Sequence, residues 1–452
     1  MYNYIYYYRK SYFMAAVSMT LLMLSTTFAS AQAQPGNGYK LSLTEAVQFA
    51  KDQNKWIKAA SIEENAAGED RKDAYDAALP TVNVNSSYQR FSDLTLFSQG
   101  LSHSTTIPLP PTKNAAALGV DALFNIYGGG KLKALQKEET SRFKLAGLNA
   151  RDQSGNIALQ TASQYLDLVK LNDLQKFILD QLKRAQSRLK NINSLYKNQK
   201  VTRSDVLRAE VTLSNVELSL QQNENDIAIA NQKLDVLMNV PDSVRIAPAD
   251  SAGMTKPESS SLLPFIEAAG VSSYSVQRAA ENVELQRARL RGVQSNNKPT
   301  LSFYTAYGIN YPNFLVFPPV NQAYALGFVG LKAQYNISSL YHNKSKVAAG
   351  KLRVKELEIQ QAAYTDNVHT EIKSYYIKYG EALTRISVNE HSVEQAEVNY
   401  RIVNNKYLNQ LALLTDLLDA DNLYQESRFN LVRAQTDALA IYYHILYTSG
   451  NL

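Results

Sequence analysis

Polar and apolar side chains alternate between residues 81 and 91. Val82, Val84, Ser86 and Tyr88 fall on one side of the chain, and Asn83, Asn85, Ser87 and Gln89 on the other. A period of two predicts a strand with one apolar and one polar face. The alternation returns over 114–126, where Ala116, Leu118, Val120, Ala122, Phe124 and Ile126 are in phase. It returns again after Pro299, with Leu301, Phe303, Tyr307, Ile309 and Tyr311 on one side, and a fourth strand is predicted over about 322–337. In that last strand Tyr324, Leu326 and Phe328 run in the opposite phase, which suggests a bulge. The residues between each pair of strands read as loops: 98–112, with Pro108, Pro110 and Pro111, and the segment holding Pro312, Pro318 and Pro319.

Elsewhere the period is helical. A helix is predicted over 44–78, opened by Thr44 and stopped by Pro80. After Gly128-Gly129-Gly130 the helical pattern persists for about 65–70 residues. Within it Leu174, Ile178, Leu182, Ala185, Leu189, Ile192 and Tyr196 step by three and four, as a coiled-coil seam does. A break at 198–202 leads to a second helix ending near Asn239-Val240-Pro241. Helices are also predicted over 275–296, from the fourth strand to about Asn405, and from about Thr415 to Tyr447.

These elements occur twice. Residues 196–210 read Tyr-Lys-Asn-Gln-Lys-Val-Thr-Arg-Ser-Asp-Val-Leu-Arg-Ala-Glu, and residues 407–421, shifted by 211, read Tyr-Leu-Asn-Gln-Leu-Ala-Leu-Leu-Thr-Asp-Leu-Leu-Asp-Ala-Asp. The same shift carries Asn125-Ile126 onto Asn336-Ile337, and a shift of 219 carries Leu79-Pro80 onto Lys298-Pro299. The chain is therefore read as a duplicated helix–strand–strand–helix–helix unit. The expected divisions are a signal peptide at 1–31, a first repeat at 32–240, a linker at 241–261 and a second repeat at 262–452.

The N-terminus supplies a compartment. Arg9-Lys10 precedes the mostly apolar stretch Phe13 to Leu24. Ala29-Ser30-Ala31 offers an A-x-A cleavage site, with Ala31-Gln32-Ala33 as the alternative. A membrane anchor is the other reading of this stretch, which is short for a spanning helix. The chain has no cysteine, which excludes disulfides and thiolate metal sites. The formal charge of +6 falls to about +4 without Arg9 and Lys10. Basic and acidic residues interleave along the helices, so no nucleic-acid partner is expected. Gly128-Gly129-Gly130-Lys131 lacks the spacing of a phosphate loop. The histidines at 103, 342, 369, 391 and 444 share no ligand spacing, and no cofactor, metal or catalytic constellation is expected. The single Trp56 reads as a packing residue.

A four-stranded open sheet has two unpaired edges. Strands of this length, apolar and aromatic on one face, suit a bilayer crossed at a tilt. A soluble sheet covered by helices is the alternative, and helices near 100 Å are far longer than the strands they would cover. The doubled tip motif, Asn125-Ile-Tyr-Gly-Gly-Gly-Lys131 between strand and helix, and Leu43-Thr-Glu-Ala46, in this order, resemble the TolC-type outer membrane efflux proteins. The resemblance implies an α+β membrane protein that forms a homotrimer. Its twelve-stranded β-barrel in outer-membrane lipid would be continued by an α-helical barrel in the periplasm. It implies a passive exit duct of a tripartite efflux pump or type I secretion system, with a periplasmic adaptor (membrane fusion) protein and an inner-membrane pump as partners. The rival reading is a periplasmic structural coiled-coil protein without channel activity.

The resemblance also implies site residues. Asp416 and Asp419, three apart on one helix face, correspond to the acidic ring of the periplasmic aperture; a capping role for Asp416 is the alternative. Tyr407 corresponds to a tyrosine that hydrogen-bonds to an aspartate of the neighbouring hairpin, here Asp205, and Arg203 stands in for a basic residue absent at Ala412. Gln199 and Gln410 occupy the tip positions where the family has glycine and contacts its adaptor. From the strand phase, Asp121 and its repeat partner Lys332 face the lumen of the barrel.

Overall fold

The computed structural model describes residues 39–98 and 100–452. The signal-peptide reading of 1–31 lies outside the described residues. Strand β1 (Tyr39–Leu41) leads into helices α1 (Leu43–Gln53) and α2 (Lys55–Asp76). Then come β2 (Thr81–Arg90), the short hairpin of β3 (Leu94–Leu96) and β4 (Thr105–Ile107), and β5 (Asn114–Tyr127). Helix α3 (Lys131–Lys197) turns into α4 (Arg203–Met238), followed by β6 (Ile246–Pro248). The second half runs α5 (Leu263–Ser272), α6 (Tyr274–Ser295), β7 (Thr300–Tyr311), β8 (Tyr324–Gln334), α7 (Ser339–His342), α8 (Lys344–Leu408) and α9 (Leu414–Thr448).

Element ends recur at the two sequence shifts. The ends of α3 and α8, Lys197 and Leu408, are 211 apart, as are the starts of α4 and α9. At the other shift the expected unbroken helix over 44–78 is two helices, broken at Asn54, and the second repeat breaks 219 residues later at Ser273. Asn54 (φ −60°, ψ 133°) and Ser273 (φ −56°, ψ 134°) are both buried and both leave the helical region for one residue. The Asn54 side chain replaces the lost helical bonds by accepting from Trp56 N at 2.8 Å and donating to the Leu237 carbonyl at 2.8 Å. No proline or glycine marks the break at Asn54, so the expected helix runs through it, whereas the helix expected over 275–296 already starts beside Ser273. Helix α5, absent from the sequence reading, is the counterpart of α1.

The segment 241–261 is no free linker. Strand β6 pairs in parallel with β1, Tyr39 opposite Ile246. Asp250 accepts from Leu43 N at 2.7 Å, and the Tyr165 hydroxyl donates to the Leu41 carbonyl at 2.7 Å. Ala252 N donates to Asp173 at 3.0 Å and the Tyr379 hydroxyl to the Pro257 carbonyl at 2.5 Å. This belt lies on the thickest part of the core, where Leu43, Ala46 and Val47 of α1 pack against Tyr165, Leu166 and Leu168 of α3. Trp56, expected to pack, is 71% exposed on the protomer.

Beyond that cluster the long helices bury only a narrow seam. Ile178, Ala185 and Ile192 of α3 and Ile372, Tyr379 and Ile386 of α8 are buried at intervals of seven, the spacing of a coiled coil. At 1.5 Å per residue, α3 extends about 100 Å. No described helix is long and apolar enough to cross a membrane.

The sheet has the order β2-β5-β7-β8 with every neighbour antiparallel, and among the described residues neither β2 nor β8 has a partner on its outer side. Its expected apolar face is open to the surroundings: Val82, Val84, Tyr88, Leu118, Val120, Tyr307, Ile309, Val329 and Leu331 are all exposed. The bulge expected in the fourth strand is absent. Strands β7 and β8 pair without a slip from Thr300↔Gln334 to Asn310↔Tyr324. The out-of-phase Phe328 is held on the polar face by an edge contact with Tyr304, ring centres 5.7 Å apart. Gly330 lies directly opposite Tyr304, and a Cβ there would meet the ring at 2.8 Å. The register shift falls instead in β5, between Asn125 and Tyr127. The predicted loop at 98–112 contains β4, paired with β3 at Thr95↔Thr106.

Candidate functional site

The two helix-turn-helix tips lie side by side, and their construction is legible atom by atom. Each first helix ends in a residue of left-handed conformation, Gln199 at φ 59° and Gln410 at φ 60°. In tip one, Gln199 N donates to the Tyr196 carbonyl and Lys200 N to the Leu195 carbonyl, both at 2.9 Å. In tip two, Gln410 N donates to Tyr407 at 2.9 Å and Leu411 N to Lys406 at 2.8 Å. This paired bonding satisfies the last helical carbonyls and normally recruits glycine. Glutamine keeps the glycine geometry here at a steric cost of about 1 kcal/mol per turn.

The second helix of each tip opens differently. Thr202 and Asp205 form a reciprocal capping box: Asp205 N donates to Thr202 Oγ1 at 3.3 Å, and Thr202 N donates to Asp205 Oδ2 at 2.9 Å. In tip two Leu413 stands where Thr202 would, so only the backward half remains, Leu413 N donating to Asp416 Oδ2 at 3.0 Å. Asp416 therefore caps α9. It is still exposed, as is Asp419 on the same face, while Leu417, Leu418 and Ala420 between and beside them are buried.

A small apolar cluster joins the tips. Ile192, Val206 and Ala209 of the first meet Leu414 and Leu418 of the second, with Tyr407 packed against them. The expected bond from Tyr407 to Asp205 is not made within the protomer. The Asp205 carboxylate is taken by Thr202, whose hydroxyl also donates to it at 2.7 Å. The Tyr407 hydroxyl is buried without a hydrogen-bond partner. Burial raises its pKa, the Asp205 charge adds to the rise, and Arg188 opposes it. Arg203 is exposed and forms no ion pair among the described residues.

The strongest polar contact at this end was not foreseen. Asp421 is 2% exposed and receives Arg188 Nη2 at 2.7 Å and Arg184 Nε at 3.0 Å. Arg184 also reaches Asp180 at 3.3 Å. Arg428 bridges from α9 to Asp180 at 3.2 Å with its guanidinium 3.7 Å above the Phe177 ring. The sequence carried a signal for it. Asp421 follows Asp419 by two, so it points to the opposite side of α9, and Arg184 and Arg188 are four apart on α3.

At the other end, Asp121 and Lys332 share the polar face of the sheet. Cross-strand pairing links Asn83, Asp121, Ala306 and Phe328 in one row, and Asn125, Ser302 and Lys332 in another four residues along. Residues opposite each other in a pleated sheet project to the same side. Asn83 Nδ2 donates to Asp121 at 3.1 Å, and Asn85 donates to its second oxygen.

Residues 46–240 match the sequence model of the family described as Outer membrane efflux protein. No curated protein matches the chain. Among solved structures, the Campylobacter jejuni CmeC outer membrane channel superposes with a TM-score of 0.77 at 14% identity, over 93% of this chain and 90% of that one. The Vibrio cholerae outer membrane protein VceC gives 0.75 at 17%, over 90% and 96%. The open state of the Neisseria gonorrhoeae MtrE outer membrane channel gives 0.70 at 14%, over 90% and 89%. Residues 46–240 thus resemble the outer membrane efflux protein family, and the whole chain has the fold of these solved outer membrane channels.

Proposed function

We propose that three copies of this chain form a passive exit duct, a twelve-stranded barrel in the outer membrane continued by a helical barrel in the periplasm. The observation that carries this is the sheet: two unpaired edges, one exposed apolar face, and one face bearing Asn83, Asn85, Asp121 and Lys332. Unpaired strand edges are not tolerated in hydrocarbon. Strand direction alternates from β2 to β8, so β8 of one copy meets β2 of the next antiparallel, and repetition closes the ring without a mismatch. A periplasmic coiled-coil protein would expose this apolar face to water.

Asp416 and Asp419 ring the periplasmic aperture in this reading, up to six carboxylates facing one axis. Tyr407, Asp205 and Arg203 set the closed state through contacts between copies, since the bond is not made within one. The tips meet a periplasmic adaptor, joined to an inner-membrane pump. Around Gln199 and Gln410 the second tip offers it the exposed Leu408, Leu411 and Leu413.

Reconstitution in a planar bilayer tests both parts. The expected result is discrete conductance, blocked by multivalent cations from the helical side, with the block weakened in Asp416→Ala/Asp419→Ala. A protein that never conducts overturns the duct; unchanged block in the double variant moves the constriction elsewhere.

A further inference from the structure

Beneath β7, where strands give way to helices, lies a cavity of about 470 Å³. Its walls are the starts of α3 and α8, the end of α6 and the last strand pair, Thr300 and Gln334. Lys131, Lys298, Lys346 and His342 line it, with Asn336 and Ser338 between them and no aspartate or glutamate. None of the three lysines forms an ion pair or side-chain hydrogen bond among the described residues. Unpaired lysines are common along this chain; what sets these three apart is that they line one concavity with no acid on its wall.

Two further features add positive potential. Helix α3 opens on Gly130 and α8 on Asn343, neither start has a side-chain cap, and neither first turn holds an acid. Their free N–H groups and dipoles therefore add to the lysine charge instead of being offset by it. At the tips, by contrast, Asp205 and Asp416 neutralise the starts of α4 and α9. All of these lining residues belong to one copy, and the wall from Gln334 to His342 continues from the edge strand β8.

We propose that this cavity binds a phosphate-bearing anion. Three unpaired ammonium groups around a concave, hydroxyl- and amide-lined space suit the charge and the several acceptor oxygens of phosphate. The volume exceeds a bare phosphate and leaves room for a polar substituent. Thr300 and Gln334 lie on the same side of the pleat as Ser302 and Lys332, the lumen side in the proposed duct, which favours a soluble phosphate compound; the headgroup of an anionic phospholipid is the other source of the same chemistry.

The experiment uses the full purified protein in detergent. One arm measures retention of phosphatidylglycerol against phosphatidylcholine by native mass spectrometry. The other titrates inorganic phosphate and follows thermal unfolding. Lys131→Gln/Lys298→Gln/Lys346→Gln is compared with Lys190→Gln/Lys197→Gln/Lys200→Gln at the tip, and Lys298→Gln alone guards against misfolding of the triple variant. The expected result is preferential binding in at least one arm, weakened roughly tenfold or more in the cavity triple, partly in the single, and kept in the tip variant. Binding in the lipid arm alone assigns the headgroup; binding of phosphate assigns the soluble source. Equal retention of both lipids with no phosphate effect, or wild-type binding by the cavity triple, overturns the proposal.

Discussion

Arg188 reaches from α3 to α9 and donates to Asp421 at 2.7 Å, with Arg188 7% and Asp421 2% exposed. The contact ties the two hairpins together just above the apolar cluster of the tips. Removing one member of such a pair strands the other charge out of water. Asp421→Ala should cost about 3–5 kcal/mol in unfolding of the detergent-solubilised protein. Replacing Asp421, Arg184 and Arg188 together by apolar residues should recover most of that. A single variant as stable as wild type would show that water already reaches the pair.

The tip turns make a prediction of the opposite sign. Gln199→Gly and Gln410→Gly each relieve a left-handed side chain and should stabilise by about 0.5–1 kcal/mol. Leu413→Thr should add a similar amount by completing the capping box that tip one already has. Denaturant midpoints of the three variants decide this; a loss in the glycine variants would mean that the glutamine side chains bind something the turns need.

Asp235 carries a pH dependence. It is 3% exposed, both carboxylate oxygens lack a partner, and burial pushes its pKa up to about 6; Asp242 adds to the rise and Arg245 opposes it. The folded state thus holds this proton more tightly than the unfolded chain does. The stabilisation is complete below about pH 4 and disappears as pH rises through 6, leaving the folded state about 3 kcal/mol poorer at pH 7 and above. Asp235→Asn should flatten the stability profile between pH 4 and 6 and raise the unfolding temperature at pH 8. A parallel profile in the variant would show that Asp235 is ionised throughout.

The sheet register predicts chemical accessibility. The chain lacks cysteine, so single cysteines report cleanly. In lipid, cysteines at Asp121 and Lys332 should react with a water-soluble thiol reagent, and cysteines at their neighbours Val120 and Leu331 should not. A charge on the lipid side would cost about 2–4 kcal/mol at mid-membrane, which is the reason for this phase. Reaction at 120 and 331 with protection at 121 and 332 would invert the barrel.

Strand and helix periods were legible because each is a local property. The alternation at Asn83 to Gln89 and the heptad step of Ile178, Ala185 and Ile192 follow from which side of one element meets an apolar surface. The break at Asn54 was not legible. An extended residue inside a helical period is chosen by what its neighbours offer, here the Leu237 carbonyl 183 positions away. Phe328 misled for a related reason. Its phase follows Tyr304 across the strand pair and the room that Gly330, on its own strand, leaves for that ring, so an aromatic on the polar face reads as a slip in register.

The site divides along the same line. That the tips turn at 198–202 and again one repeat later is written in the chain, since turn and cap chemistry involve residues within a few positions of each other. The partner of each charge is not. Asp205 is satisfied by Thr202 and leaves Tyr407 without an acceptor, while Asp421 collects two arginines from 233 and 237 positions away. Local pattern determines the elements, their duplication and the faces they show. Only the packing of distant helices decides which buried charges meet, because that choice depends on which groups lose water together.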